Sequence, residues 1–168
     1  MRYTLISKIA LFSVLSCFLL SACGFTPIYS QKNNSELSKK LAAIKVTPIH
    51  NLMGQKYVSA LEDVLDPKNT HTANKYIIDA VLYKYVRPLA IEQDRTVTRY
   101  KVVVNVEYTL KDQADGKIIS KGRIKGEADY DRVESDYATY VSENDTTDRV
   151  IKELAQDTKI KIISALLK

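Results

Sequence analysis

Thr96 to Lys111 reads TVTRYKVVVNVEYTLK, and Lys117 to Asp131 reads KIISKGRIKGEADYD. In the first stretch Tyr100, Val102, Val104, Val106, Tyr108 and Leu110 occupy every second position, with Arg99, Lys101, Val103, Asn105, Glu107, Thr109 and Lys111 between them. Successive side chains of a strand point to opposite faces, so this period of two predicts a long strand buried on one side. The second stretch alternates in the same sense. Ile118, Ile124, Ala128 and Tyr130 share a face with Gly122 and Gly126, while Lys121, Arg123, Lys125, Glu127, Asp129 and Asp131 take the other.

The two strands can be registered by parity. Residues paired across an antiparallel ladder lie on the same face, so here paired numbers must sum to an even value. A two-residue Asp115-Gly116 turn sets Ala114 opposite Lys117 and mixes the faces. A three-residue loop, Ala114-Asp115-Gly116, gives a sum of 230 and keeps them apart, with Gly116 in the left-handed position such loops favour. This register sets Arg99 opposite Asp131, Lys101 opposite Asp129, Glu107 opposite Arg123 and Tyr108 over Gly122. It leaves Lys121 opposite Thr109 and Lys125 opposite Asn105, without an acid directly across.

Outward from this hairpin the pattern is coarser. Ala42 to Ile49 reads as a short strand, with Pro48 confining it to an end or an edge. Gln55 to Leu65 carries Val58, Leu61, Val64 and Leu65 at helical spacing. Tyr76 to Val86 is rich in β-branched and aromatic residues and reads as a strand, with Pro88 to Asp94 as a connection. Val133 to Asn144 reads as irregular or weakly helical. A helix capped by Asp145 then carries Val150, Leu154, Thr158, Ile162 and Leu166 along one stripe. The order β-α-β-β-β-α predicts an α+β two-layer sandwich: a four-stranded, mainly antiparallel sheet with two helices on one face and the other face charged and open.

The N-terminus carries an address. Arg2 and Lys8 precede Ile9 to Leu20, a run too short to span a bilayer but suited to a signal peptide. Leu20-Ser21-Ala22-Cys23 follows and resembles the lipobox of bacterial lipoproteins; an ordinary signal peptide or signal anchor is the other reading. The expectation is a removed segment 1–22, a lipidated Cys23 with an irregular tether over 23–40, and a single domain over 41–168. Gly24, rather than Asp, favours the outer membrane. Dual acylation gives stable membrane attachment.

Composition then excludes several classes. The chain has 168 residues, two cysteines, two histidines and a net charge of +5. Losing Arg2 and Lys8 reduces that charge to +3, too little for a dedicated nucleic-acid binder. Cys17 is discarded and Cys23 acylated, which leaves no thiol for a zinc site and no disulfide. His50 and His71 read as loop residues. No G-x-S-x-G, glycine-rich phosphate loop or H-E-x-x-H is present, so neither an enzyme nor a metal or other cofactor is expected beyond the covalent lipid on Cys23.

Several short motifs point further. They are Ala22-Cys23-Gly24-Phe25-Thr26-Pro27-Ile28-Tyr29, Gly54-Gln55 with Leu61-Glu62-Asp63, Asp94 to Tyr100 (DRTVTRY), Asp129-Tyr130-Asp131, Tyr137-Ala138, and the helix from Asp145 to Lys168 with Arg149. In this order the chain resembles the LPS-assembly lipoprotein family LptE. The resemblance implies an outer-membrane lipoprotein facing the periplasm and the lumen of the LptD β-barrel. Such a protein plugs that barrel, assists its assembly and binds lipopolysaccharide on its way to the cell surface. It also implies that basic residues on the sheet meet the lipopolysaccharide, here Arg95, Arg99, Lys121, Arg123 and Lys125. A solvated charged face is the plainer reading of any one of them, and Lys121 and Lys125 are the better candidates because no acid lies across from them. The alternative function is a periplasm-facing lipid-binding or envelope-tethered lipoprotein without a barrel partner. That reading requires an apolar cavity between sheet and helices.

Overall fold

A computed structural model describes residues 31–70, 73–91 and 97–167. Its elements are α1 (Gln31–Ala42), β1 (Ile44–Val46), α2 (Leu52–Leu65), β2 (Tyr76–Ile91), β3 (Val97–Asp112), β4 (Ile118–Asp131) and α3 (Asp136–Leu166). The four strands form one sheet in the order β1-β2-β3-β4. β1 pairs parallel to β2, and the other pairings are antiparallel. The α+β sandwich expected from the alternation is therefore present, with a third helix added in front.

The central hairpin has the register that parity requires. Arg99 lies opposite Asp131, Lys101 opposite Asp129, Glu107 opposite Arg123, and Tyr108 opposite Gly122. The turn itself differs. Asp112 N–H donates to the Lys117 carbonyl at 2.9 Å, and four residues, Gln113 to Gly116, make the loop. Gly116 N–H donates back to the Asp112 carbonyl at 3.0 Å, with Gly116 at φ 70°. A register shift beyond Leu110 restores the sum of 230. The extra residue reverses the expected facing at the strand start: Ile118 is exposed, and Ile119 packs against the core.

Three further corrections concern element ends. β2 passes through Pro88 to Ile91, with the pairing slipping between Pro88 and Ala90. A proline lacks an N–H, and a strand edge with a bulge accommodates that. α3 starts well before Asp145, because the Ser135 hydroxyl accepts the Ala138 N–H and caps it. The added turns are held by Glu143, whose carboxylate accepts from Lys84 Nζ at 2.6 Å and from the Tyr130 hydroxyl at 3.0 Å. Lys84 keeps the Glu143 carboxyl below its ordinary value, with Tyr130 helping. Finally, part of the stretch read as an irregular tether is α1. Its Leu37 and Leu41, one turn apart, are buried in the core, and Glu36 pairs with Lys40 at 3.3 Å.

Even-numbered residues of β3 face the helices, and Val102, Val104, Val106 and Leu110 have no exposed surface. Against them pack Tyr57 and Leu61 of α2 and Val150, Leu154 and Ile162 of α3. The helix layer is pinned by one buried polar contact. Thr158 donates to the Leu154 carbonyl at 2.7 Å, so the Tyr57 hydroxyl, 2.8 Å away, donates to Thr158. Burial pushes the Tyr57 phenol up to about 12.

α3 comes closest to the sheet at Gly126. A Cβ there would stand 2.8 Å from Val150 Cγ1 and 3.0 Å from Leu154 Cγ, in well-packed core. Gly126→Ala should therefore force α3 outward and cost about 1–3 kcal/mol. Urea titration checks this through a lower midpoint at unchanged slope.

Candidate functional site

The sheet face opposite the helices carries the odd-numbered residues of β2, β3 and β4. The three helices of the described residues lie on the other side, and polar side chains here pair with each other. Lys101 Nζ reaches Glu127 Oε1 at 3.0 Å and Asp129 Oδ1 at 3.7 Å. Lys125 Nζ takes the other oxygen of Glu127 at 2.6 Å. Arg99 Nε donates to Asp131 Oδ1 at 2.7 Å, and Arg123 pairs with Glu107. At the other end, Lys111 Nζ and the Thr47 hydroxyl both donate to Asp79, at 2.8 and 2.7 Å.

This lattice has electrostatic consequences. Lys125 first, and then Lys101, hold the Glu127 carboxyl down at about 2. Arg99 lowers Asp131, and Lys111 followed by Thr47 lowers Asp79. An apolar residue lies within the lattice. Val103 is opposite Tyr85 and Glu127 with 0% exposure, although no helix among the described residues covers this face.

The five cations named from the sequence separate clearly. Arg95 lies outside the described residues. Arg99 and Arg123 have the cross-strand acid partners their register implies. Lys125 lies opposite Asn105 as expected, but Glu127, two residues along its own strand, neutralises it. Lys121 lies opposite Thr109, is exposed, and has no carboxylate partner among the described residues. Of the four described, it is the one left free for an external anion.

A further exposed cation was missed. Arg87 lies on this face directly opposite Lys101 and has no acid partner among the described residues. Like charges paired across a ladder repel. The sequence reading ended β2 at Val86, so nothing placed Arg87 on a strand. Along the same strand Val81, Tyr83 and Tyr85 are 52%, 54% and 48% exposed, an apolar lane beside the ionic lattice.

Two hollows, of about 390 and 270 Å³, flank α2 on the opposite side of the molecule. The larger is bridged by Lys56 and Asp148 at 2.6 Å, and neither has a strand residue in its lining. Neither therefore opens between sheet and helices as an acyl-chain cavity would. Among the described residues no group of acids, histidines or thiols could hold a metal ion, and no helix is long and apolar enough to cross a membrane.

The family model LptE, described as lipopolysaccharide-assembly, matches residues 41–164. An uncharacterised protein of Rickettsia prowazekii (strain Madrid E) is 28% identical over 153 residues, 91% of this chain and 94% of that one. A protein from Caulobacter crescentus CB15 that carries a lipoprotein designation superposes with a TM-score of 0.63 at 20% identity, covering 79% of this chain and 96% of that one. The rare lipoprotein B from Shewanella oneidensis gives 0.54 at 12%, over 73% and 92%. These likenesses show the shared fold.

The lattice itself can be tested. Carboxyl NMR titration should place the Glu127 midpoint near 2. The folded value is depressed, so the stability this group contributes is present above the ordinary carboxylate value and is lost as pH falls towards 2. Lys125→Ala should move the midpoint back towards 4.5.

Proposed function

Given that this chain belongs to the LptE family of lipopolysaccharide-assembly proteins, we propose that it is a non-catalytic, outer-membrane lipoprotein. It is anchored through Cys23, partners and plugs an LptD-type β-barrel, and binds lipopolysaccharide on its open sheet face. The observation that carries the binding proposal is Lys121. Among the described residues it stands exposed and without an acid partner at one end of β4, in line with Arg123 and Lys125 on a face that none of their helices covers. A phosphate has three strong acceptor oxygens and binds cations through charge-assisted hydrogen bonds. It meets Lys121 without displacing any carboxylate. It then competes with Glu127 for Lys125 and with Glu107 for Arg123, in contacts that are solvent-exposed and held weakly. Arg99, paired with Asp131 at the far end, contributes least.

Purified lipopolysaccharide provides the test. Lys121→Glu should weaken binding about tenfold to a hundredfold, the worth of one charge-assisted hydrogen bond. Arg99→Ala should change it little. Rising salt should weaken the wild-type interaction, because exposed charges are screened. Unchanged affinity in the triple variant Lys121→Ala, Arg123→Ala, Lys125→Ala would remove the basic-strip proposal. Affinity-tagged chain extracted from outer membranes should bring a large β-barrel with it. Recovery of the chain alone would remove the partnership.

A further inference from the structure

The sheet has two outer edges, and they are not alike. β4 carries a charge at every second residue from Lys121 to Asp131, and α3 rides directly over it at Gly126. β2 is different. Three residues of β1 cover only its start, Tyr76 to Ile78. Past that point, among the described residues, no backbone hydrogen bond reaches its outer edge. The side chains there are Val81, Tyr83 and Tyr85 on the open face and Leu82 and Val86 on the inner one. Lys84, the residue that could guard the edge, is turned inward to Glu143. A long apolar edge left unguarded is a template for pairing with another strand.

The backbone parity of that edge is known. Tyr76 N–H donates outward to the Ala43 carbonyl at 3.1 Å, and the Ile78 carbonyl accepts outward from Thr47 N–H at 3.0 Å. Even-numbered residues therefore aim their backbone groups outward, and Ala80, Leu82, Lys84 and Val86 continue the row. Antiparallel pairing with a second copy of the same strand must join even to even. With paired numbers summing to 166, Tyr83 meets its counterpart on the two-fold axis, Val81 meets Tyr85, and Asp79 meets Arg87. Arg87 thereby meets, at each end of the joint, an Asp79 carboxylate that Lys111 and Thr47 also hold. Shifting the sum to 168 sets Lys84 against Lys84, and 164 sets Arg87 against Ile77. The joint is also bounded: β1 holds the edge as far as Ile78, and the register slip at Pro88–Ala90 bends the strand out of line.

We propose that two copies of this chain associate through the β2 edge from Asp79 to Arg87, in an antiparallel pairing centred on Tyr83. The two-fold axis stands perpendicular to the sheet, so the open faces of both copies look the same way and merge into one surface. This assignment concerns the chain outside a barrel, stands apart from the lipopolysaccharide reading and does not require it.

Sedimentation equilibrium of the full-length chain in density-matched detergent should give a concentration-dependent monomer–dimer equilibrium. Tyr83→Lys sets like charges on the axis and should raise the dissociation constant at least tenfold. Arg87→Asp, which faces Asp79 with a second acid, should do the same; both residues are exposed, and unchanged circular dichroism verifies the fold. A directly opposed, non-hydrogen-bonded antiparallel pair places its Cα atoms about 4.5 Å apart, within disulfide reach. Mild oxidation of the Tyr83→Cys chain should therefore link two copies in excess of the chain with only its own cysteines. The Lys121→Cys chain should show no excess. A monomer at every concentration, a dimer that Tyr83→Lys leaves intact, or linkage through position 121 instead of 83 would each overturn the proposal. So would a monomer whose β2 edge takes up a strand of another protein.

Discussion

The ladder between β3 and β4 constrains the rest of the molecule. It fixes which face each side chain takes, and a slip of one residue would exchange Val102, Val104 and Val106 for Lys101, Val103 and Asn105 beneath the helices. Burying lysine and asparagine there without partners would cost more than the packing returns. The same register sets Gly126 under Val150 and Leu154, which lets α3 lie close, and sets Tyr108 over Gly122. It also distributes the charges of the open face into pairs. Core and candidate site are thus two sides of one hydrogen-bonding pattern.

That pattern was legible because alternation and parity are local and exact in period. Arg99–Asp131 and Glu107–Arg123 follow from two strands and one turn assumption. The errors arose where distant contacts decide. Parity fixes only the combined offset of a loop and any bulge, so a three-residue loop and a four-residue loop with an extra residue near Ile119 look identical along most of the ladder. The early start of α3 depends on Glu143 reaching Tyr130 on β4 and Lys84, which is 59 residues away in sequence. Helix α1 has few apolar residues and owes its place to Leu37 and Leu41 meeting the core. β2 ran past Val86 because its ladder with β3 tolerates Pro88 at a free edge.

The open face shows why overall basicity says little about a ligand. Most of its cations are consumed by neighbouring carboxylates, and Lys101 and Lys125 share Glu127, the residue across the ladder from buried Val103. What distinguishes Lys121 is that no such neighbour stands beside it among the described residues, which follows once the register is known. Pairing with Glu127 makes Lys125 a secondary contact. Arg87 likewise has no acid partner among the described residues, but only the extended β2 places it on this face.

The central claim is that the anionic ligand meets the open sheet face at β4 and not the helix layer. Amine-directed methylation of the full-length chain, read by mass spectrometry with and without lipopolysaccharide, tests it most directly. The account predicts strong protection of Lys121 on adding the ligand, with Lys152 and Lys161 on the exposed surface of α3 modified to the same extent as before. Equal labelling of Lys121 in both conditions, or protection of the α3 lysines in its place, would contradict it.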